Sequence, residues 1–161
     1  MLSDQVVLVS GAGGRLGSEI ARDVISHGGK VGLFDVRESS LQAVTRTLPE
    51  QSYVAVVGDI SATGDVDRAI NTVSDVLGAL DGAVHAAYPR SSGWGTRFEH
   101  LVPEHLYEDL NRQLGGAILF SQRVLEFFRR LRRGSLVHLS SIQGGSAVHL
   151  SDGAKSMDYT Q

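Results

Sequence analysis

The hydrophobic pattern of this chain changes period again and again along its length. Val6 to Val9 is an unbroken apolar run, the mark of a strand buried on both faces, and glycines follow it at once. Behind them Leu16, Ile20, Ala21 and Val24 fall at helical spacing, which predicts a helix over Arg15–His27 stopped by Gly28 and Gly29. The same alternation then repeats. Lys30–Val36 reads as a second strand, Ser39–Leu48 as a helix closed by Pro49, and Tyr53–Val57 as a third strand. Val66, Ala69, Ile70 and Val73 mark a helix over Ala62–Leu77 with Gly78 behind it, and Asp81–Ala87 is a fourth strand. Tyr88–His100 is rich in Gly and Ser and has no period. Pro103 opens a long helix running to about Arg132, and Ser135–Ser140 is a fifth strand. Ser141–Gln161 shows no clear period.

Strands that are apolar almost throughout, each followed by a helix, predict an α/β protein with a doubly wound parallel sheet in three layers, α/β/α. Right-handed crossovers put the five strands in the order 3-2-1-4-5, with a ligand crevice at the carboxyl ends of strands one and four. No internal repeat or linker divides the chain, so residues 1–161 are expected to form one domain.

Composition narrows the classes. With 161 residues, 42% hydrophobic and 20% charged, the chain has the make-up of an ordinary soluble globular domain. A net charge of −3 lacks the basic surplus of a nucleic-acid binder, and Arg129, Arg130, Arg132 and Arg133 read as a solvated helix end beside the dipole. With no cysteine, disulfides, thiolate catalysis and zinc–thiolate sites are excluded. No apolar run is long enough for a bilayer and the first strand starts almost immediately, so neither a membrane span nor a signal peptide is expected and the cytoplasm is the default location. The six histidines show no metal spacing beyond the loose pair His100 and His105, and no metal site is expected.

The glycines at 11, 13, 14 and 17 carry the first chemical signal. A tight turn needs positive φ, and a pyrophosphate reaches the backbone closely only where no Cβ intervenes. The helix that follows aims its N–H groups and the positive end of its dipole at such an anion. Asp35 is the second signal. It ends strand two 24 residues past Gly11, near the spacing at which a carboxylate takes the adenosine ribose hydroxyls of a dinucleotide. A carboxylate there repels a 2′-phosphate, so Asp35 favours NAD, while Arg37 and Arg15 are the residues that could reach the phosphate of NADP. The plainer alternative is a punctuating glycine turn and an Asp that merely ends a strand.

Ser10-Gly11-Ala12-Gly13-Gly14-Arg15-Leu16-Gly17 is similar to the T-G-x-x-G-x-x-G motif of the short-chain dehydrogenase/reductase family, with Ser for Thr. The resemblance runs along the whole chain and implies a Rossmann-type dinucleotide-binding domain, the N-terminal part of a longer subunit. It implies cofactor contacts from Ser10, Gly11, Gly13, Gly14, Arg15, Leu16 and Gly17, from Asp59 and Ile60 at the adenine, and from Ala86 and Ala87 after strand four. By the same resemblance Asn111 holds a proton-relay water and Ser141 is the catalytic serine. The long helix at 103–132 is where such subunits commonly pair, which implies a homo-oligomer.

The departures are specific. The family's N-A-G appears as His85-Ala86-Ala87, and no Tyr-x-x-x-Lys pair is present; Tyr159 follows Lys155 instead of preceding it. That pair supplies the acid/base, its ammonium lowering the phenol pKa. The expectation is therefore that the chain is the cofactor half of a longer enzyme, with a binding-only module as the alternative.

A narrower likeness, in Ala87-Tyr88-Pro89-Arg90, Trp94-Gly95-Thr96-Arg97-Phe98-Glu99 and Leu114-Gly115-Gly116, resembles the branch associated with flagellin modification and nonulosonic-acid sugars. It implies a sugar or sugar-phosphate substrate. Arg90 and Arg97 could grip a phosphate and Trp94 could stack on a sugar face; alternatively, Trp94 and Phe98 pin the loop to the core.

Overall fold

A computed structural model describes residues 2–140 of the chain. Ser141 and the tail beyond it, including Lys155 and Tyr159, lie outside the described residues. The sheet is parallel, with β1 (Val6–Ser10) at its centre, β2 (Lys30–Asp35) and β3 (Tyr53–Val57) on one side, and β4 (Gly82–His85) and β5 (Ser135–His138) on the other. The order is β3-β2-β1-β4-β5, as the crossover rule requires. Every residue of β1 is buried, which explains its lack of polar alternation.

Alternate residues of β1 feed two cores. Val6 and Leu8 join Phe34, Val66, Ile70, Val73, Phe120 and Val124 under α3 (Thr63–Leu77) and α5 (Gly116–Leu131). Val7 and Val9 face Ala21, Val24, Leu41 and Val44 from α1 (Arg15–Ser26) and α2 (Glu38–Thr45). The periods of these helices differ from the strand period, and that difference is what made both legible. An Arg123 guanidinium fork gripping the Asp67 carboxylate, at 2.6 and 2.8 Å, ties α5 to α3.

The single long helix expected from Pro103 onward is interrupted. It comprises α4 (Pro103–Leu110), a π-helical turn over Asn111–Gly115, and α5. Such turns insert one residue into the helical ladder and often occur at functional sites. Strands four and five are shorter than expected, ending at His85 and His138, although the Ala86 N–H still donates to the Ser10 carbonyl and the Leu139 N–H to the His85 carbonyl. β5 forms one margin of the described sheet, and Val137 on it and Leu139 just after it are exposed.

Candidate dinucleotide crevice

The turn from β1 into α1 is built by close backbone approach. Gly11 has φ +71°, and a Cβ there would lie 2.6 Å from Ala87 Cα and 2.8 Å from the Ala86 carbonyl carbon. Ala86 and Ala87 are thereby brought against the glycine turn, at the point where the strand order reverses. Gly17 closes the other side: its Cβ would stand 2.9 Å from Ala12 Cα. Gly14 is the N-cap of α1, and no side chain caps the helix there. A Cβ on Gly14 meets nothing but the Gly11 carbonyl oxygen within 4 Å, so this face of the turn is open. Leu16 beside it is exposed.

Asp35 is tied to this turn. Its Oδ2 accepts the Gly13 N–H at 2.9 Å and its Oδ1 accepts the Arg37 N–H at 3.0 Å. Two of a carboxylate's four lone-pair sites are used, and two remain for a diol. The same bonds orient the side chain, which is 8% exposed. Asp59 follows β3, and its Oδ1 accepts both the N–H and the hydroxyl of Ser61 at 2.8 and 2.7 Å. Asp65 holds this loop by accepting the Asp59 N–H at 3.0 Å; that bond and the Arg68 guanidinium keep the Asp65 carboxyl below the usual carboxylate range.

Two expected cofactor residues turn inward. Ile60 is 6% exposed and packs in the core, where a Cβ on Gly116 would come within 2.9 Å of its Cδ1. The Ser10 hydroxyl is buried and lies 2.8 Å from His85 Nδ1, because Ser10 and His85 are register partners on β1 and β4. His138 continues this row on β5. Ser121 donates its hydroxyl to the Ala117 carbonyl, so His138 Nε2, 2.9 Å from Ser121 Oγ, is the donor in that pair. Burial pushes the His85 imidazole down to about 4, and the neighbouring His138 acts in the same direction. His85 is thus neutral at pH 7 and bonds Ser10 as an uncharged ring. Sequence reasoning marked His85 only as a lost Asn, and nothing in spacing alone announced this row.

The loop after β4 carries Arg90, Trp94 and Arg97. Trp94 is 41% and Phe98 is 83% exposed, and the Trp94 ring meets the Tyr88 ring edge to face. Arg97 precedes a short 3-10 turn, Phe98–His100, and is exposed. Asn111 begins the π-helical turn, and Gln113 in that turn donates its side-chain N–H to the Pro89 carbonyl at 3.0 Å. The turn therefore lies alongside the post-β4 loop at the crevice mouth. Among the described residues, no three His, Cys, Asp or Glu side chains converge as a metal site, and no helix is long and apolar enough to cross a membrane.

An open, glycine-floored helix start with an acidic residue bonded to the same turn fits a dinucleotide. The family model for short chain dehydrogenases matches residues 5–151. The post-translational flagellin modification protein A of Campylobacter coli is 30% identical over 148 residues, 89% of this chain and 58% of that one. The levodione reductase of Leifsonia aquatica is 28% identical, over 88% of this chain and 54% of that one. Among solved structures, a 3-ketoacyl-(acyl-carrier-protein) reductase from Brucella melitensis complexed with NADH superimposes with TM-score 0.78 at 23% identity, covering 90% of this chain and 60% of that one. The chain thus spans little more than half the length of the curated relatives it matches. Motif, strand order and family match converge: this chain belongs to the short chain dehydrogenase family.

Proposed function

We propose that the chain binds a nicotinamide adenine dinucleotide, NAD in preference to NADP, and serves hydride transfer to or from a small alcohol or ketone, a sugar or sugar phosphate. The observation that carries this reading is the Gly11–Gly17 turn, open at Gly14 and bonded through Gly13 to Asp35. Bound there, the cofactor supplies the hydride acceptor or donor. The N–H groups at the start of α1 would hold its phosphates, Arg15 and Leu16 would line the entrance, and Asp35 would take the ribose diol. Asp59 is assigned to the adenine end, Ala86 and Ala87 to the crevice wall, Asn111 to a relay water and Ser141 to the substrate oxygen. Support for the nicotinamide reading comes from family membership and the NADH complex of the Brucella structure.

Asp35 sets the cofactor preference. Wild-type protein is expected to bind NADH at least about tenfold more tightly than NADPH, about 1.4 kcal/mol, and Asp35→Ala to narrow that gap. Calorimetric titration with both nucleotides checks it; equal affinities in the wild type would remove Asp35 from the ribose.

A second reading is a binding module without turnover. A turnover assay run beside the NADH titration separates the two. Binding with reduction of a carbonyl probe supports the enzyme, and binding alone supports the module.

The partner proposed for α4 and α5 is a second copy. Tyr107, Leu110, Leu114, Ile118 and Leu125 recur at mostly three- and four-residue spacing, and each is at least 51% exposed. Ile118→Lys is expected to halve the mass seen by light scattering without altering the fold's circular dichroism. A wild type that is monomeric at every concentration tested refutes the pairing.

A further inference from the structure

The loop between β4 and α4 is strapped to the helix by side chains. Ser91, 7% exposed, donates its N–H to Asp109 Oδ1 at 2.6 Å and its hydroxyl to Asp109 Oδ2 at 3.0 Å. The Pro89 carbonyl accepts from Gln113, and Ser92 Oγ lies 3.3 Å from His105 Nε2. The His105 ring packs so closely on Gly93 that no Cβ fits there. A loop with four such attachments is ordered before any ligand arrives, which lowers the entropic cost of binding.

On this frame Arg90 is held by rings. Its guanidinium carbon lies 5.8 Å from the Tyr88 ring centre and 5.6 Å from the Trp94 ring centre, and the two rings meet edge to face at 89°. Arg22, Arg68, Arg112, Arg123 and Arg133 each face a carboxylate. Among the described residues no carboxylate pairs with Arg90. Aromatic contact orients a guanidinium plane while leaving its N–H fork available, and that fork matches the oxygens of a phosphate. Beside Trp94 opens a cavity of about 280 Å³ walled by Leu101, Leu106 and Leu110, with Thr96, Gln113 and the Ser91-bonded Asp109 as polar lining. Tyr88 directly follows Ala87, which packs on Gly11, so the receptor begins at the crevice itself.

We propose that Arg90, its guanidinium carbon within 5.8 Å of the Tyr88 and Trp94 ring centres, is the receptor for a phosphate monoester on the substrate, whose body enters the cavity beside Trp94. Asp109 is a positioning residue that holds the receptor through Ser91. This deepens the proposed oxidoreductase reading and rests on it for the word substrate, but its test does not require turnover.

Trp94 is the chain's sole tryptophan, so its fluorescence reports on the Arg90 site. Glucose 6-phosphate is expected to change that fluorescence saturably, while glucose does not and gluconate does so at least tenfold more weakly. Arg90→Met abolishes the response and Arg90→Lys weakens it, because an ammonium lacks the planar fork. Asp109→Ala weakens the phosphate response several-fold, and Asp109→Asn, which can still accept from and donate to Ser91, restores it. NADH calorimetry on each variant remains at the wild-type value and doubles as the check on folding. An equal response to glucose, an unchanged response in Arg90→Met, or loss of glucose 6-phosphate binding in saturating NADH overturns the proposal, the last by assigning Arg90 to the cofactor. Failure of NADH to bind while glucose 6-phosphate still does would sink the cofactor reading and leave this receptor standing.

Discussion

Gly11→Ala is expected to cost about 3 kcal/mol of stability, the sum of a left-handed backbone penalty and an overpacked contact. The added methyl meets Ala87 Cα and N at 2.6 Å, and these are backbone atoms with no rotamer to yield. Either Gly11 leaves φ +71° or the end of β4 moves away, and both open the crevice. NADH affinity should therefore fall at least tenfold together with the urea midpoint. Urea unfolding and calorimetry on the same preparation check it. A loss under about 1 kcal/mol would mean that strands one and four do not converge as described.

Acid should weaken this protein through His85. The folded imidazole titrates at about 4 against an ordinary 6.5, so between these values the unfolded chain takes up a proton that the folded chain refuses. The contribution is fully present above about pH 6.5, declines as the pH falls, and is wholly lost near pH 4. A shift of this size is worth up to about 3 kcal/mol. The groups facing the ring are Ser10 from β1, His138 from β5 and Phe120 from α5, and the His138 charge adds to the penalty on protonation. His85→Asn, which can still hydrogen-bond Ser10, should flatten the stability profile between pH 6.5 and 4 relative to wild type. Parallel profiles for the two proteins would show that His85 is not the group responsible.

Local pattern carried much of this protein's architecture. The burial of β1 on both faces was written in Val6–Val9, the helix starts in the switch to 3.6-residue spacing, and the strand order in the handedness of the crossovers. The glycine turn and Asp35, to which phosphate and ribose are here proposed to bind, were legible for the same reason: that binding would demand particular residue types at particular offsets along one chain segment. The inward turn of Ser10 and Ile60 was not legible. Ser10 meets His85 75 positions away through sheet register, and Ile60 meets Gly116 across the layer. The Arg90 ring contacts and the Asp109 clasp on Ser91 likewise depend on where a loop and a helix from different segments come together. Sequence period reports which face of an element is buried; which side chains then meet depends on register and packing across elements, and those exist only in the folded chain.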